Sequence, residues 1–222
     1  MTDYGSLIEF RELVVVGCAS KMEEFGTALE QRLPEGWTRD IKREEDARQM
    51  GTDFDWLVFN RASTAELPSA SLFFSTSEAD LKVTNIVPQT VSELSKQEYN
   101  EILREFYISA VMPVCEEWGL HHELTPDFRP LTFWLTETAA DKLLRFSTLA
   151  NKSTGSAHPL DRNRWFDFIY QVVTDQSNLD ADTLLRWLVN IQHWSLDSAR
   201  DLILEYEFGR DLLIYAREKG NG

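Results

Sequence analysis

Cysteine is scarce in this 222-residue chain, which contains only Cys18 and Cys115. Both lie among apolar residues, in VVVGCAS and MPVCEEW, and they lack the paired spacing of a zinc or redox motif. We therefore expect two reduced, mostly structural thiols, which suits the cytoplasm. Cys18 would be an activated thiol only if it lay at the N-terminus of a helix.

Long apolar runs are also missing, because the longest extend over only a few residues. A membrane-spanning helix needs about 20 such residues. The N-terminal MTDYGSLIEF has neither the basic segment nor the apolar stretch of a secretion signal. The sequence thus predicts a cytoplasmic protein that does not span a membrane.

No complete catalytic, metal-binding or nucleotide-binding motif is present. Gly17, Ser20 and Lys21 lie near the first predicted turn, but their spacing fits neither phosphate-binding glycine pattern. His121 and His122 are adjacent, so on an extended segment their side chains point to opposite faces. The sequence therefore predicts no metal site and no cofactor, and it contains no motif specific enough to assign a family.

Positive charge is in short supply, because 22 Lys and Arg residues face 37 Asp and Glu residues, a formal net charge of −15. Exposed carboxylates repel nucleic-acid phosphates and anionic lipid headgroups within a Debye length of about 8 Å. Direct binding to nucleic acid or membranes is therefore disfavoured. The same field would speed encounters with a basic protein partner, although solubility alone is the simpler explanation of the acidity.

What the chain does contain is 43% hydrophobic residues, enough for one large or two small cores. Aromatic and β-branched runs dominate the first part, and helical periodicity dominates the rest. We predict an α+β fold, with a mostly antiparallel sheet and one or two packed helices in the N-terminal part (1–135), followed by a helical bundle (136–222). The two parts form separate lobes or pack as a single domain.

The pattern also predicts the individual elements. A capping box at Ser95 and Glu98 opens a helix that Pro113 kinks or interrupts and Gly119 ends. The segment 39–48 alternates in charge, which is typical of a solvated helix or loop. The predicted strands are 13–17, 37–41, 56–59, 72–76, 81–87 and 131–135, and the later predicted helices are 137–150, 161–174, 181–194 and 197–218.

The most distinctive segment is NKSTGSAHPLDRNRW (151–165), which is polar and locally cationic in an otherwise acidic chain. Amides at a helix start, together with guanidinium groups, form a generic anion site. The side chains that would hold the anion are Lys152, Ser153, Thr154, His158, Arg162 and Arg164, with Trp165 as a stacking wall.

A structural interpretation of the same segment stays open. Asp161 is the predicted N-cap of the next helix and would occupy its amides, while the arginines would pair with nearby acids. Phe166, Phe168 and Tyr170 leave that helix little polar face, so we expect it to be central to the bundle. His158 and Asp161 with a nearby serine resemble a catalytic set only weakly, because such triads are assembled from distant segments.

Two functions from different classes follow. The first is an acidic protein that binds a basic partner, most concretely an immunity protein or antitoxin that masks a basic effector through carboxylates of the sheet-rich half. The alternative is an enzyme or binding protein for a small anionic ligand, phosphorylated or nucleotide-like, held by the 151–165 loop. A subunit of a larger assembly is a third interpretation. The sequence leaves the oligomeric state and any enzymatic activity open.

Overall fold

The computed structural model describes residues 3–49, 55–77 and 79–220. It confirms the predicted α+β fold. The chain divides into two compact units, one formed by residues 8–127 and one that joins the N-terminal segment up to Leu7 to the chain from Phe128 onward. The first unit contains the large sheet, and the second is mainly helical.

The predicted helices and the predicted strands from 13–17 to 81–87 appear with shifted boundaries, whereas the short strands at 6–8, 122–124 and 128–130 have no counterpart in the prediction. The strands are β1 (Ser6–Ile8), β2 (Leu13–Val15), β3 (Trp37–Arg39), β4 (Trp56–Arg61), β5 (Ala70–Ser77), β6 (Asp80–Pro88), β7 (His122–Leu124) and β8 (Phe128–Pro130). The helices are α1 (Met22–Glu30), α2 (Ile41–Gln49), α3 (Lys96–Phe106), α4 (Met112–Trp118), α5 (Glu137–Leu149), α6 (Pro159–Thr174), α7 (Ala181–Arg186) and α8 (Leu196–Gly220).

The 8–127 unit is built on a six-stranded antiparallel sheet in the order β3-β4-β5-β6-β2-β7. Alternate residues along each strand point to the same face, and one face carries the apolar side chains of Leu57, Phe59, Leu72 and Phe74. These side chains are fully buried. The sheet therefore has the one-sided core that antiparallel sheets commonly show.

Helices α1, α3 and α4 supply the other half of this core, including Phe25 and Phe106. The capping box of Ser95 and Glu98 that begins α3 is confirmed. The α-helical pattern ends at Phe106, and a π-helical turn, Tyr107–Val111, leads into α4, whose first turn contains Pro113. Proline lacks the N–H that a regular helix interior needs, so the irregular turn lies where the sequence places the interruption.

Helix α2 is exposed along most of its length, as expected for a solvated helix or loop at residues 39–48, and Glu44 is the exception. The Glu44 side chain is 2% exposed, and its Oε1 and Oε2 accept hydrogen bonds from Arg39 Nε at 3.0 Å and Arg39 Nη2 at 2.8 Å. Glu44 Oε1 also accepts from the backbone N–H of Val58 at 2.9 Å, beside the end of β3. The carboxylate thus satisfies an amide of β4 that lies just beyond the last β3–β4 pair, Arg39 and Phe59.

The second unit is a helical core formed by α5, α6, α7 and α8. The predicted strand at 131–135 is wrong, because Leu131–Phe133 forms a 3₁₀ turn. Leu131 and Leu135 are buried while Phe133 is 58% exposed, so the buried positions are four residues apart, as on a helix. In a strand all three side chains would point to one face.

The N-terminal segment is part of this second unit. Trp187 Nε1 donates a hydrogen bond to the Tyr4 carbonyl oxygen at 2.7 Å, and Leu7 is buried in the helical core. Gly5 has a φ of +75°, and a Cβ there would lie 2.4 Å from Ile191 Cγ2, so glycine is required. None of the helices in the described ranges is long and apolar enough to cross a lipid bilayer.

Candidate functional site

The start of α6 differs from the prediction. The helix begins at Pro159, and its N-cap is His158, whose Nδ1 accepts from the backbone N–H of Leu160 at 3.3 Å. Proline suits a first-turn position because the N–H there has no partner within the helix. The predicted N-cap, Asp161, is instead buried and accepts a hydrogen bond from Arg164 Nη1 at 2.6 Å. Arg164 therefore pairs with an acid, as the structural interpretation of this segment anticipates.

The loop before α6 is held by hydrogen bonds within the loop and to neighbouring segments. Lys152 Nζ donates to the carbonyl oxygen of Gln192. The backbone N–H and hydroxyl of Ser153 donate to Asn151 Oδ1 at 3.0 and 2.8 Å. The backbone N–H of Thr154 donates to the Asn151 carbonyl oxygen at 3.0 Å. The Lys152 ammonium group therefore already has a partner, the Gln192 carbonyl oxygen.

Three of the predicted site residues meet at one cavity. Ser153, Thr154 and Arg162 line a space of about 480 Å³ together with Asp201 and Glu205. One guanidinium group therefore faces two carboxylates. An anionic ligand would meet more negative than positive charge there.

Trp165 has a different environment from the one that a stacking wall requires. It is 0% exposed, and its ring lies 4.7 Å from that of Phe146 and 5.2 Å from that of Phe168, measured between centroids. Its indole Nε1 has no hydrogen-bond partner among the described residues. The side chain packs in the core of the helical unit.

A groove lies between α6 and α8, and the sequence did not predict it. It has a volume of about 700 Å³, and Phe166 and Tyr170 of α6 face Phe208 and Leu212 of α8 across it. The exposed fractions of these side chains are 52%, 60%, 73% and 54%. Helix α6 packs against both α5 and α8, as a central helix does, and Phe168 is buried, but Phe166 and Tyr170 are exposed and do not join the core. We call this space the α6–α8 groove.

The sequence of α8 contains a signal for this surface. Leu204, Phe208, Leu212 and Tyr215 recur at intervals of four, four and three residues, so they form one row along the helix. We call this row the α8 stripe, and all of its members are more than half exposed. The buried residues of α8, such as Tyr206, lie on another face. Two apolar rows on one helix indicate one row for the core and one for a second contact.

The two cysteines are buried, as expected of structural thiols. Burial raises the pKa of Cys115 to about 12 and that of Cys18 to about 11, while Lys21 partly opposes the shift at Cys18. This direction is the opposite of thiol activation.

The same shifts give an expected pH dependence. Folding favours the neutral thiols, so this contribution is complete below the ordinary thiol pKa of 9.0 and is lost as the pH rises through about 11 to 12. We expect the free energy of unfolding to fall between pH 9 and pH 11, and to fall less steeply in a Cys115→Ala variant. Chemical denaturation at several pH values measures both slopes. Equal slopes would contradict the assignment to this thiol.

The residues that resemble metal ligands in the sequence do not gather in the structure. Within residues 3–49, 55–77 and 79–220, no group of three or more His, Cys, Asp or Glu side chains is placed to hold a metal ion. His122 Nδ1 lies 3.0 Å from the Tyr107 hydroxyl, and Cys115 is buried in the core.

Comparisons of the chain with protein-family models, with curated proteins and with solved structures found no match.

Proposed function

We propose that this protein acts by binding another protein through the α6–α8 groove and the α8 stripe. The observation that carries the proposal is the continuous exposure of large apolar side chains from two neighbouring helices, with Phe208 at 73%. Large exposed apolar patches with polar rims mark interaction sites in folded proteins. Aromatic residues are also the usual anchors of such interfaces.

The partner in this proposal is a basic protein. A net charge of −15 gives the chain a field that attracts cationic proteins and repels anionic ones. An immunity protein or antitoxin of the cytoplasm, which masks a basic effector, is the most concrete form of this function. The sequence suggests carboxylates of the sheet-rich half as the contact surface, whereas the contact surface proposed here lies on the helical unit.

Side-chain exposure in the sheet-rich unit supports this choice of surface. Of its exposed large apolar residues, Phe10 and Val87 line one cavity, but they share it with the charged side chains of Arg11, Glu12, Lys82 and Glu93. Ile41 is exposed on α2. Single exposed apolar residues are normal on protein surfaces. In the helical unit, by contrast, four exposed large apolar residues of α6 and α8 line one groove, namely Phe166, Tyr170, Phe208 and Leu212.

A substitution in the centre of the α8 stripe tests the function. We expect Phe208→Ser to weaken binding of the native partner by about 30-fold or more, which is the effect of losing a central aromatic anchor. Phe133→Ser is the matched control, because Phe133 is an exposed aromatic of the same unit at 58% that does not line the groove. Cross-linking and affinity purification from the native cell identify the partner, and calorimetry with purified proteins gives the dissociation constants.

Two measurements distinguish binding through the α6–α8 groove from attraction by the net charge alone. Association should slow as salt rises, because the Debye length falls from about 10 Å at 0.1 M to about 3 Å at 1 M. Loss of binding in Phe208→Ser with an unchanged melting temperature supports the proposal. Equal partner affinity in wild type, Phe208→Ser and Leu212→Ser would show that binding takes place elsewhere.

A further inference from the structure

We propose that the occupant of the α6–α8 groove is a single amphipathic helix of the partner, with basic residues on both sides of its apolar face. This inference rests on the proposed function, because it specifies the part of the partner that enters the same surface. Three features of the described residues support it: the length of the α8 stripe, the helical walls of the groove and the charges beside the stripe.

The length of the surface matches a short helix. From Leu204 to Tyr215 the α8 stripe extends about 16 Å at 1.5 Å per residue, which is about three helical turns. Phe166 and Tyr170 form the opposite wall one turn apart. A partner helix of three or four turns would cover the stripe, with its apolar residues at intervals of three and four.

The walls of the groove favour a helix over an extended segment. Both walls belong to helices, and the backbone N–H and C=O groups in a helix interior are bonded within the helix itself. An extended segment placed there would turn part of its own backbone toward Phe208 and Leu212, which offer no hydrogen bonds. A helix satisfies its backbone internally, so it can bury an apolar face without that cost.

The charges beside the α8 stripe favour a basic occupant. On a helix, residues three or four positions from a stripe member lie next to it. The charged residues that meet this condition are exposed, and acids outnumber bases among them. The acidic ones are Asp201, Glu205, Glu207, Asp211 and Glu218, and the basic ones are Arg200 and Lys219.

The opposite wall adds one charge of each sign, Asp167 and Arg162. The rim as a whole is therefore acidic, and lysine or arginine residues flanking the apolar face of a helix would complement it. A second copy of this chain is a poorer occupant, because it would bring the same acidic rim and a net charge of −15.

An unbiased peptide library tests the inference on the full chain. Displayed random peptides of about 16 residues, long enough for four helical turns, are selected for binding to the wild-type protein and counter-selected on Phe208→Ser. We expect the enriched sequences to repeat apolar residues at intervals of three and four, with Lys or Arg between them. In the best of these peptides, a central proline should weaken binding at least tenfold, and Lys→Glu exchanges should do the same.

Several results would overturn the helical occupant. They are enrichment of acidic sequences, enrichment of sequences without helical periodicity, and absence of any Phe208-dependent enrichment. A wild-type dimer that Phe208→Ser converts to a monomer in sedimentation would also overturn it, because a second copy would then fill the groove. If Phe208→Ser abolishes binding of the native partner but a selected helical peptide does not displace that partner, the helical inference fails while the proposed function stands.

Discussion

Replacing Glu44 with alanine is expected to lower the free energy of unfolding of the 8–127 unit by about 3 to 5 kcal/mol, the usual cost of breaking a buried ion pair from one side. The Arg39 side chain, 2% exposed, would lose its main carboxylate partner, although Glu23 Oε1 at 3.0 Å would remain. The Val58 N–H would lose its acceptor as well. Denaturant titration measures the loss, and hydrogen exchange at the Val58 amide localises it.

The neighbouring Glu45 provides the matched control, because it is an exposed glutamate in the same helix. Glu45→Ala should change the free energy of unfolding by less than about 0.5 kcal/mol. A double variant, Arg39→Met with Glu44→Leu, should recover part of the loss, because no unpaired charge stays buried, while the Val58 N–H still lacks its acceptor. If Glu44→Ala and Glu45→Ala have equal effects, the carboxylate of Glu44 is not the stabilising group.

Local signals were sufficient to predict much of the framework. Ser95 and Glu98 have capping-box spacing, and the box forms because both partners lie within one helical turn. Gly119 ends α4 in a left-handed conformation with a φ of 63°, as a glycine after an apolar helical run predicts. The antiparallel pairing of β4, β5 and β6 followed from three short β-rich runs with no helical segment between them.

Tertiary contacts decided the features that the sequence could not predict. Glu44 lies in a run of charges, and only the position of Val58 and Arg39 makes its burial favourable. The choice between the two apolar rows of α8 depends on how that helix packs against α6. Gly209 allows that close approach, because a Cβ at this position would lie 3.3 Å from Ile169 Cδ1.

The charge around the candidate anion site also could not be predicted from the sequence. The sequence identifies a cationic loop, but it does not indicate that Glu205 and Asp201 lie at the same cavity as Arg162. Those acids belong to α8, about 40 residues further along the chain. Charge that is local in sequence is therefore a poor guide to the field at a site built from two helices.

Substitutions at Trp165 and Phe166 should separate effects on folding stability from effects on partner binding. They are adjacent on α6, yet Trp165 is 0% exposed and Phe166 is 52% exposed, because successive residues of a helix point about 100° apart. Trp165→Ala is expected to lower the free energy of unfolding of the helical unit by about 3 to 5 kcal/mol, since it removes a large ring from a packed core. Phe166→Ser should cost less than about 1 kcal/mol but weaken partner binding.

A third variant separates packing of the Trp165 ring from its polar group. The indole Nε1 of Trp165 finds no hydrogen-bond partner in the described part of the chain, so Trp165→Phe removes no hydrogen bond. It should therefore cost much less than Trp165→Ala, because most of the ring contacts with Phe146 and Phe168 remain. Denaturant titration of the three variants, together with partner binding measured well below their unfolding midpoints, checks the pattern. If Trp165→Ala left stability unchanged but removed binding of a phosphorylated ligand, Trp165 would be a ligand contact, and the anion-binding alternative would replace the protein-binding proposal.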